Sequence, residues 1–275
     1  MNRRELARAL TRIESGENID IQCRNTDHWL VLGVTGAPGV GKSCLVDHLI
    51  RSWVKTGYRV AVLAVDPSSP VSGGALLGDR MRMQDVDSNE DVYVRSIATR
   101  NHPGGLPARL DRMVDLLASN GWNRIIIETV GSGQSEVRIV AVADRLLLVE
   151  GPARGDVVQA EKAGVMELAD LVAVNKSDLP GAQKTADEIR VALDMADSEP
   201  PPVLLCSAIT GDGMNQLISA LDQLPDARGP AIARARERLL SIHQESLLNH
   251  PRFADVLKDL CEGELTLDEA LESLD

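Results

Sequence analysis

Seven short apolar runs punctuate this chain: Trp29–Val34, Val60–Val65, Val92–Ile97, Ile125–Ile127, Leu146–Val149, Leu171–Val174 and Val203–Leu205. Between most of them the apolar positions recur at helical spacing, around residues 43–55, 106–119, 156–168, 184–196 and 213–223. Continuous apolar runs alternating with amphipathic helices predict a mostly parallel sheet covered by helices on both faces, with right-handed crossovers. Leu6, Ala7, Leu10 and Ile13 add a short leading helix over residues 3–14. The turn-rich stretch from Pro67 to Gly74 reads as a loop, and Glu199 to Pro202 as a stiff spacer before the last strand. After Pro225–Pro230 the pattern is helical throughout. The expected division is an N-terminal helical segment over 1–27, a nucleotide-binding α/β domain over 28–226 and a helical arm over 227–275.

Composition sharpens this. The chain of 275 residues is 44% hydrophobic but only 2% aromatic, so its core must come from Val, Leu, Ile and Ala. A formal charge of −12 argues against nucleic acid and anionic membranes as partners. The four cysteines, Cys23, Cys44, Cys206 and Cys261, are scattered and predict reduced thiols rather than a disulfide framework. The start lacks an apolar signal region and no apolar run is long enough to span a bilayer, so a soluble cytoplasmic protein is expected.

The chemistry begins where the first run ends. Gly36, Ala37, Pro38, Gly39, Val40, Gly41, Lys42 and Ser43 fit the pattern G-x-x-x-x-G-K-[ST], with a strand before and a helix after. Glycines let successive backbone N–H groups converge on phosphate oxygens, and the helix adds the positive end of its dipole. Lys42 supplies a charge for the β- and γ-phosphates, Ser43 a hydroxyl for Mg²⁺, and Cys44 continues the phosphate-facing turn.

A second motif selects the base. Asn175-Lys176-Ser177-Asp178 stands at the end of an apolar run, where ligands bind in open α/β sheets. The Asp178 carboxylate can accept from guanine N1–H and the exocyclic amine, a pair adenine lacks. Asn175 can brace the loop and Lys176 can cover the ring. Ser207, Ala208 and Ile209, after the last run, suit a second base-reading loop whose backbone N–H meets the guanine carbonyl. The bound nucleotide is therefore expected to be GTP or GDP.

A phosphate-loop enzyme also needs acids for its metal shell and attacking water. Asp66 and Glu128 lie at run ends; Glu128-x-x-Gly131 places a glycine N–H where the γ-phosphate can be sensed. Glu128 is either a metal contact or a water-orienting group. Asp79 is a further metal candidate, with a solvated surface aspartate as the competing reading. Metal candidates are thus Ser43, Asp66, Asp79 and Glu128, and catalytic ones Lys42, Asp66 and Glu128. No glutamine follows Gly131 directly, Gln134 coming three residues later, so slow unassisted hydrolysis is expected. Arg95, Arg100 and Arg154 could stabilise transition-state charge, though a structural role suits each better, and His102 reads as a packing residue rather than a base.

Several longer stretches carry a family likeness. Val65-Asp-Pro-Ser-Ser-Pro, Leu77-Gly-Asp-Arg-Met-Arg-Met, Arg95-Ser-Ile-Ala-Thr-Arg-Asn-His-Pro-Gly-Gly-Leu and Ile127-Glu-Thr-Val-Gly-Ser-Gly-Gln-Ser-Glu resemble the MeaB/ArgK-type GTPases, as does Gly164 to Asp178. The likeness covers roughly residues 3–225 and, more loosely, the helical tail. It implies a phosphate-loop GTPase core that forms homodimers through the C-terminal arm. It also implies a chaperone that gates cofactor loading and protection of a cobalamin-dependent acyl-CoA mutase of the methylmalonyl-CoA type. By the same resemblance Asp66, Asp79 and Glu128 map onto metal and switch acids, and Gly155-Asp156 through Lys162 onto a segment that couples nucleotide state to the mutase. The N-terminal helical extension is short for the family, and Pro103, Pro107 and Arg154 depart from its pattern. The label of lysine/arginine/ornithine transport-system ATPase, also attached to the family, does not fit the guanine-reading motif. Two alternatives stay open: a metal-delivery GTPase for a nickel enzyme, which calls for Cys/His ligands, and an ATP-driven kinase or transport-associated ATPase, which calls for ADP preference.

Overall fold

The computed structural model describes residues 1–21, 29–66, 89–98, 109–129, 139–152, 165–195, 199–224, 231–248 and 250–274. All seven expected strands form: β1 (Val31–Thr35), β2 (Val60–Asp66), β3 (Val92–Ala98), β4 (Arg124–Thr129), β5 (Arg145–Glu150), β6 (Leu171–Val174) and β7 (Val203–Leu205). They make one parallel sheet in the order β3-β2-β4-β1-β5-β6-β7. The α-helices that lie wholly within the described residues are α1 (Arg3–Glu14), α2 (Lys42–Lys55), α3 (Leu110–Ser119), α4 (Ala182–Leu193), α5 (Met214–Gln223), α6 (Ala231–Leu248), α7 (Phe253–Glu262) and α8 (Leu267–Glu272). Among these helices none is long and apolar enough to cross a membrane.

Alternation along each buried strand sorts the core into two layers. Val31, Ile125, Ile127, Leu146, Leu148, Val172 and Val174 face α1, α3 and α4. Leu32, Val34, Ile126, Leu147, Val149, Leu171 and Ala173 face α2 and α5. Both faces are covered, which explains why the strands read as unbroken apolar runs rather than as alternating ones.

Helix ends follow local chemistry. Asn2 caps α1 in a reciprocal box with Glu5. Helix α4 starts two residues earlier than its apolar spacing predicts, because Gly181 adopts a left-handed conformation (φ 92°) and turns the chain directly into Ala182. Strand order matters most for the site. β1 is central, between β4 and β5; the chain leaves β1 for β2 on one side, whereas the connection from β4 runs past β1 to β5 on the other. The carboxyl end of β1 therefore opens a crevice at the point where connections diverge, the usual ligand position in such sheets.

Candidate functional site

The turn after β1 is shaped by glycine where no other residue fits. Gly36, Gly39 and Gly41 have φ of 139°, 77° and 95°. A Cβ on Gly36 would collide with the Val149 carbonyl of β5, and one on Gly41 with the Asn175 side-chain amide. The loop is pressed against both neighbours, so its N–H groups have one direction left to point. Helix α2 then starts at Lys42 with no side-chain cap, so its positive end faces the loop, the arrangement that receives anions.

Lys42 is buried, and its ammonium donates to the carbonyls of Gly36 at 2.7 Å and Ala37 at 3.1 Å. Ser43 donates its hydroxyl to Glu128 Oε1 at 2.8 Å. Glu128 lies on β4 opposite Val34 of β1 and Ala64 of β2, so sheet register delivers this acid to the loop. Cys44 is exposed on the first turn of α2. Asp66 closes β2, in backbone register with Ala98 of β3.

The loops after β6 and β7, the candidate base-reading loops, meet the phosphate loop through one side chain. Asn175 is buried; its Nδ2 donates to the Val40 carbonyl at 2.8 Å, and its Oδ1 accepts from Ala208 N at 3.0 Å. Three loops from β1, β6 and β7 are thereby locked together. Lys176 adopts φ 61°, unusual for a non-glycine residue, and its ammonium reaches the Gly39 carbonyl at 2.7 Å. Asp178 is exposed at the rim. Ser207 is buried: its N–H bonds Asp212 O at 2.8 Å and its Oγ accepts from Thr210 N at 3.2 Å, which turns the loop so that Ile209 stands out into solvent.

Arg95 goes elsewhere. Its guanidinium donates to Ala7 O and Thr11 Oγ1, each at 3.1 Å, and to Glu14 Oε2 at 2.7 Å, so it clasps α1 onto the edge strand and is removed from the charge-stabilising candidates. Gly131, Asp79, Gln134, Arg100, His102, Pro103, Pro107, Arg154 and the stretch from Gly155 to Lys162 lie outside the described residues. Sequence reasoning missed Gly33 and Thr129. The Thr129 hydroxyl donates to Thr35 Oγ1 at 3.0 Å, tying β4 to β1 beside the loop. Nothing in the local pattern marks a buried threonine pair, which only strand order brings together.

The donor set fits a hard divalent cation. A hydroxyl paired with a carboxylate, next to a phosphate cradle, is the oxygen chemistry Mg²⁺ takes, with phosphates and waters completing its shell. Among the described residues no group of three His, Cys, Asp or Glu side chains could hold a metal by itself. Cys206 is buried beneath Asn175, and burial pushes its thiol up to about 12, so it is neither a thiolate ligand nor a nucleophile near neutral pH.

Comparison with known proteins identifies the lineage. The family described as methylmalonyl Co-A mutase-associated GTPase MeaB matches residues 6–253. A Pyrococcus horikoshii protein named as a GTPase is 42% identical over 227 residues, covering 78% of this chain and 72% of its own. The Escherichia coli GTPase ArgK is 35% identical over 238 residues, 80% of this chain and 71% of its own. The mouse mitochondrial methylmalonic aciduria type A homolog is 32% identical over 264 residues, 90% of this chain and 64% of its own. Among solved structures, that of an LAO/AO transport system kinase superposes with a TM-score of 0.59 at 24% identity, covering 100% of this chain and 97% of its own. HypB from Helicobacter pylori, in complex with nickel, gives 0.51 at 16% identity, covering 79% and 91%. At those identities the two structures speak for the phosphate-loop fold alone. The match of the family over most of the chain, on a site built around Gly36–Ser43, places this protein in the MeaB family of GTPases.

Proposed function

We propose that this GTPase is a cytoplasmic chaperone whose nucleotide cycle gates cofactor loading and protection of a cobalamin-dependent acyl-CoA mutase of the methylmalonyl-CoA type. The observation that carries the nucleotide half is the Asn175 side chain, which joins Val40 of the phosphate loop to Ala208 of the second base loop. A guanine seated against Asp178 is then held in register with the phosphates. The mutase half is supported by the family description and by the mouse relative's name.

The residues divide the work as follows. The turn from Gly36 to Cys44 cradles the phosphates, with backbone N–H groups of Ala37, Pro38's neighbours and Val40 as donors. Arriving phosphate oxygens compete with the Gly36 and Ala37 carbonyls for the Lys42 ammonium, which then neutralises charge building on the β–γ bridge. Ser43 would present its hydroxyl oxygen to Mg²⁺ while its O–H goes on donating to Glu128. Bound Mg²⁺ would neutralise phosphate charge and fix the triphosphate. Because Glu128 Oε1 is engaged by Ser43, the acid is better suited to the metal shell than to orienting water. Asp66 and Asp79 are assigned to the same shell, and Gly131 to sensing the γ-phosphate. With no glutamine next to Gly131, unassisted hydrolysis is slow, and the mutase or another partner accelerates it.

Residues 1–27, 28–226 and 227–275 serve as N-terminal segment, GTPase domain and dimerisation arm. Leu239 and Ile242 on α6 and Leu267 on α8 are exposed apolar residues, which supports a homodimer joined through the arm. Co-purification from the native host tests the role: recovery of a cobalamin-dependent acyl-CoA mutase with the GTP-loaded protein is expected, and its reproducible absence would sink the proposal. Calorimetry with GDP and ADP tests the base, since tighter ADP binding would return the ATP-driven kinase or transport reading.

A further inference from the structure

Gly33 lies in the middle of buried strand β1, where a parallel sheet normally carries a branched apolar residue. Its φ is not positive, so backbone conformation does not demand glycine. Space does. A Cβ at Gly33 would stand 2.8 Å from Ile139 Cδ1, 3.0 Å from Ile139 Cγ1 and 3.1 Å from Ala143 Cβ. The volume that a β1 side chain would fill is taken by Ile139, which is fully buried.

Ile139 opens a single 3-10 turn, Ile139–Ala141. Upstream, Thr129 is hydrogen-bonded to Thr35 of β1, and Glu128 accepts from Ser43. The strand that delivers the phosphate loop therefore grips the chain at Glu128–Thr129 and again at Ile139. The other side of the turn meets α6, whose backbone comes within 8 Å of it. A helix resting on a turn that is itself wedged against β1 cannot ignore movement of the turn, because close-packed contacts shift as units rather than deform.

We propose that Ile139 is a positioning residue that couples the nucleotide site to α6. Its seat on Gly33 ties the turn to the strand that delivers the phosphate loop, and passes a shift of that strand to the helix lying on the turn. The inference rests on GTP binding and not on the identity of the partner. It is tested on the full chain by hydrogen exchange over residues 231–248, with GDP and with a non-hydrolysable GTP analogue, alongside calorimetry of both nucleotides. In the unaltered protein, exchange in α6 differs between the two nucleotides by about tenfold or more. Ile139→Ala reduces that ratio at least about threefold while GDP affinity stays within about twofold, and Ile139→Val, which keeps the branch, restores most of it. Should Ile139→Ala fail to fold, Gly33→Ala presses on Ile139 from the other side and is expected to change the same ratio. Equal exchange with both nucleotides in the unaltered protein overturns the proposal. So does an Ile139→Ala protein whose exchange rises equally in both states, which is what a merely structural role predicts. Failure of the analogue to bind at all would instead overturn the GTP reading, and calorimetry separates the two cases.

Discussion

The two edges of the sheet are made from opposite materials. At the amino-terminal edge, Trp29, Trp53, Tyr58, Tyr93 and Trp122 gather around arginines, and they include every tryptophan and tyrosine in the chain. Arg124 sits 4.0 Å from the Trp29 ring centre and 4.2 Å from that of Tyr58, Arg145 lies 4.6 Å from Trp29, and Arg59 lies 4.4 Å from Trp122. The carboxylates of Asp144 and Asp170 accept from the N–H groups of Val31 in β1 and Leu146 in β5. At the carboxyl edge there are no aromatic rings among the described residues; glycines, carbonyls, hydroxyls, Lys42, Glu128 and Asn175 do the joining. One edge joins its elements through stacked rings, arginines and carboxylates. The other leaves Lys42 on two loop carbonyls and helix N–H groups uncapped, bonds that a triphosphate can replace with better ones. Stability is concentrated at one end so that the other can stay open to a ligand.

The comparison breaks if a carboxyl-edge variant loses stability rather than function. The largest effect is expected for Lys42→Ala, which should lower single-turnover GTP hydrolysis by about 10²-fold or more while the thermal midpoint barely moves. A large fall in the midpoint would show that the loop carries structural weight. Next, Asp178→Asn should weaken GDP by about 10²-fold, because an exposed rim acid reads the base without supporting the fold. The same change should improve binding of xanthosine diphosphate, whose 2-oxo group accepts where guanine donates, and calorimetry with both nucleotides decides.

The opposite edge gives the mirror image. Burial lowers the Arg124 guanidinium from its ordinary value, against the opposing pull of Tyr58 and of Asp222, whose carboxylate lies 3.6 Å away. Arg124→Ala removes a buried charge, its ring contacts and its bond to the Trp29 carbonyl, and should cost about 2–4 kcal/mol in urea unfolding with GDP affinity unchanged. Loss of nucleotide binding at native conditions would contradict the division. The smallest effect belongs to the arm. The Thr266 N–H and hydroxyl hold the Glu269 carboxyl below its ordinary range. A lowered acid contributes its full stabilisation above the ordinary glutamate value and loses it as pH falls through the lowered one. Amide exchange in α8 should therefore quicken at acid pH, and Thr266→Ala should quicken it at every pH with no effect on nucleotide binding.

Much of this was legible in the chain. Most of the seven strands were readable because burial on both faces leaves no polar interruption; β2, β4, β5 and β6 appear as apolar runs followed by Asp66, Glu128, Glu150 and Asn175, whereas edge strand β3 is interrupted by Arg95 and Ser96. The phosphate loop was readable because glycine is required wherever the backbone must approach Val149 or Asn175 this closely, whereas the bonds of Asn175 to Val40 and Ala208 were not, because they join three separate loops. Arg95 was ambiguous for the opposite reason: an arginine at a strand end can serve phosphate or helix, and only the packing of α1 on β3 decided for the helix.

What the sequence by itself determined is local: which segments are strand or helix, and which turns can cradle a phosphate or read guanine. Strand order, and therefore the company each side chain keeps, was decided by tertiary structure. It put Glu128 on Ser43, Thr129 on Thr35 and Ile139 on Gly33, and it collected five aromatic residues, far apart in sequence, at one edge. Those contacts join residues many positions apart, and no periodicity within a single element encodes them. They arise only when the crossovers around β1 bring β4 and β5 to its two sides.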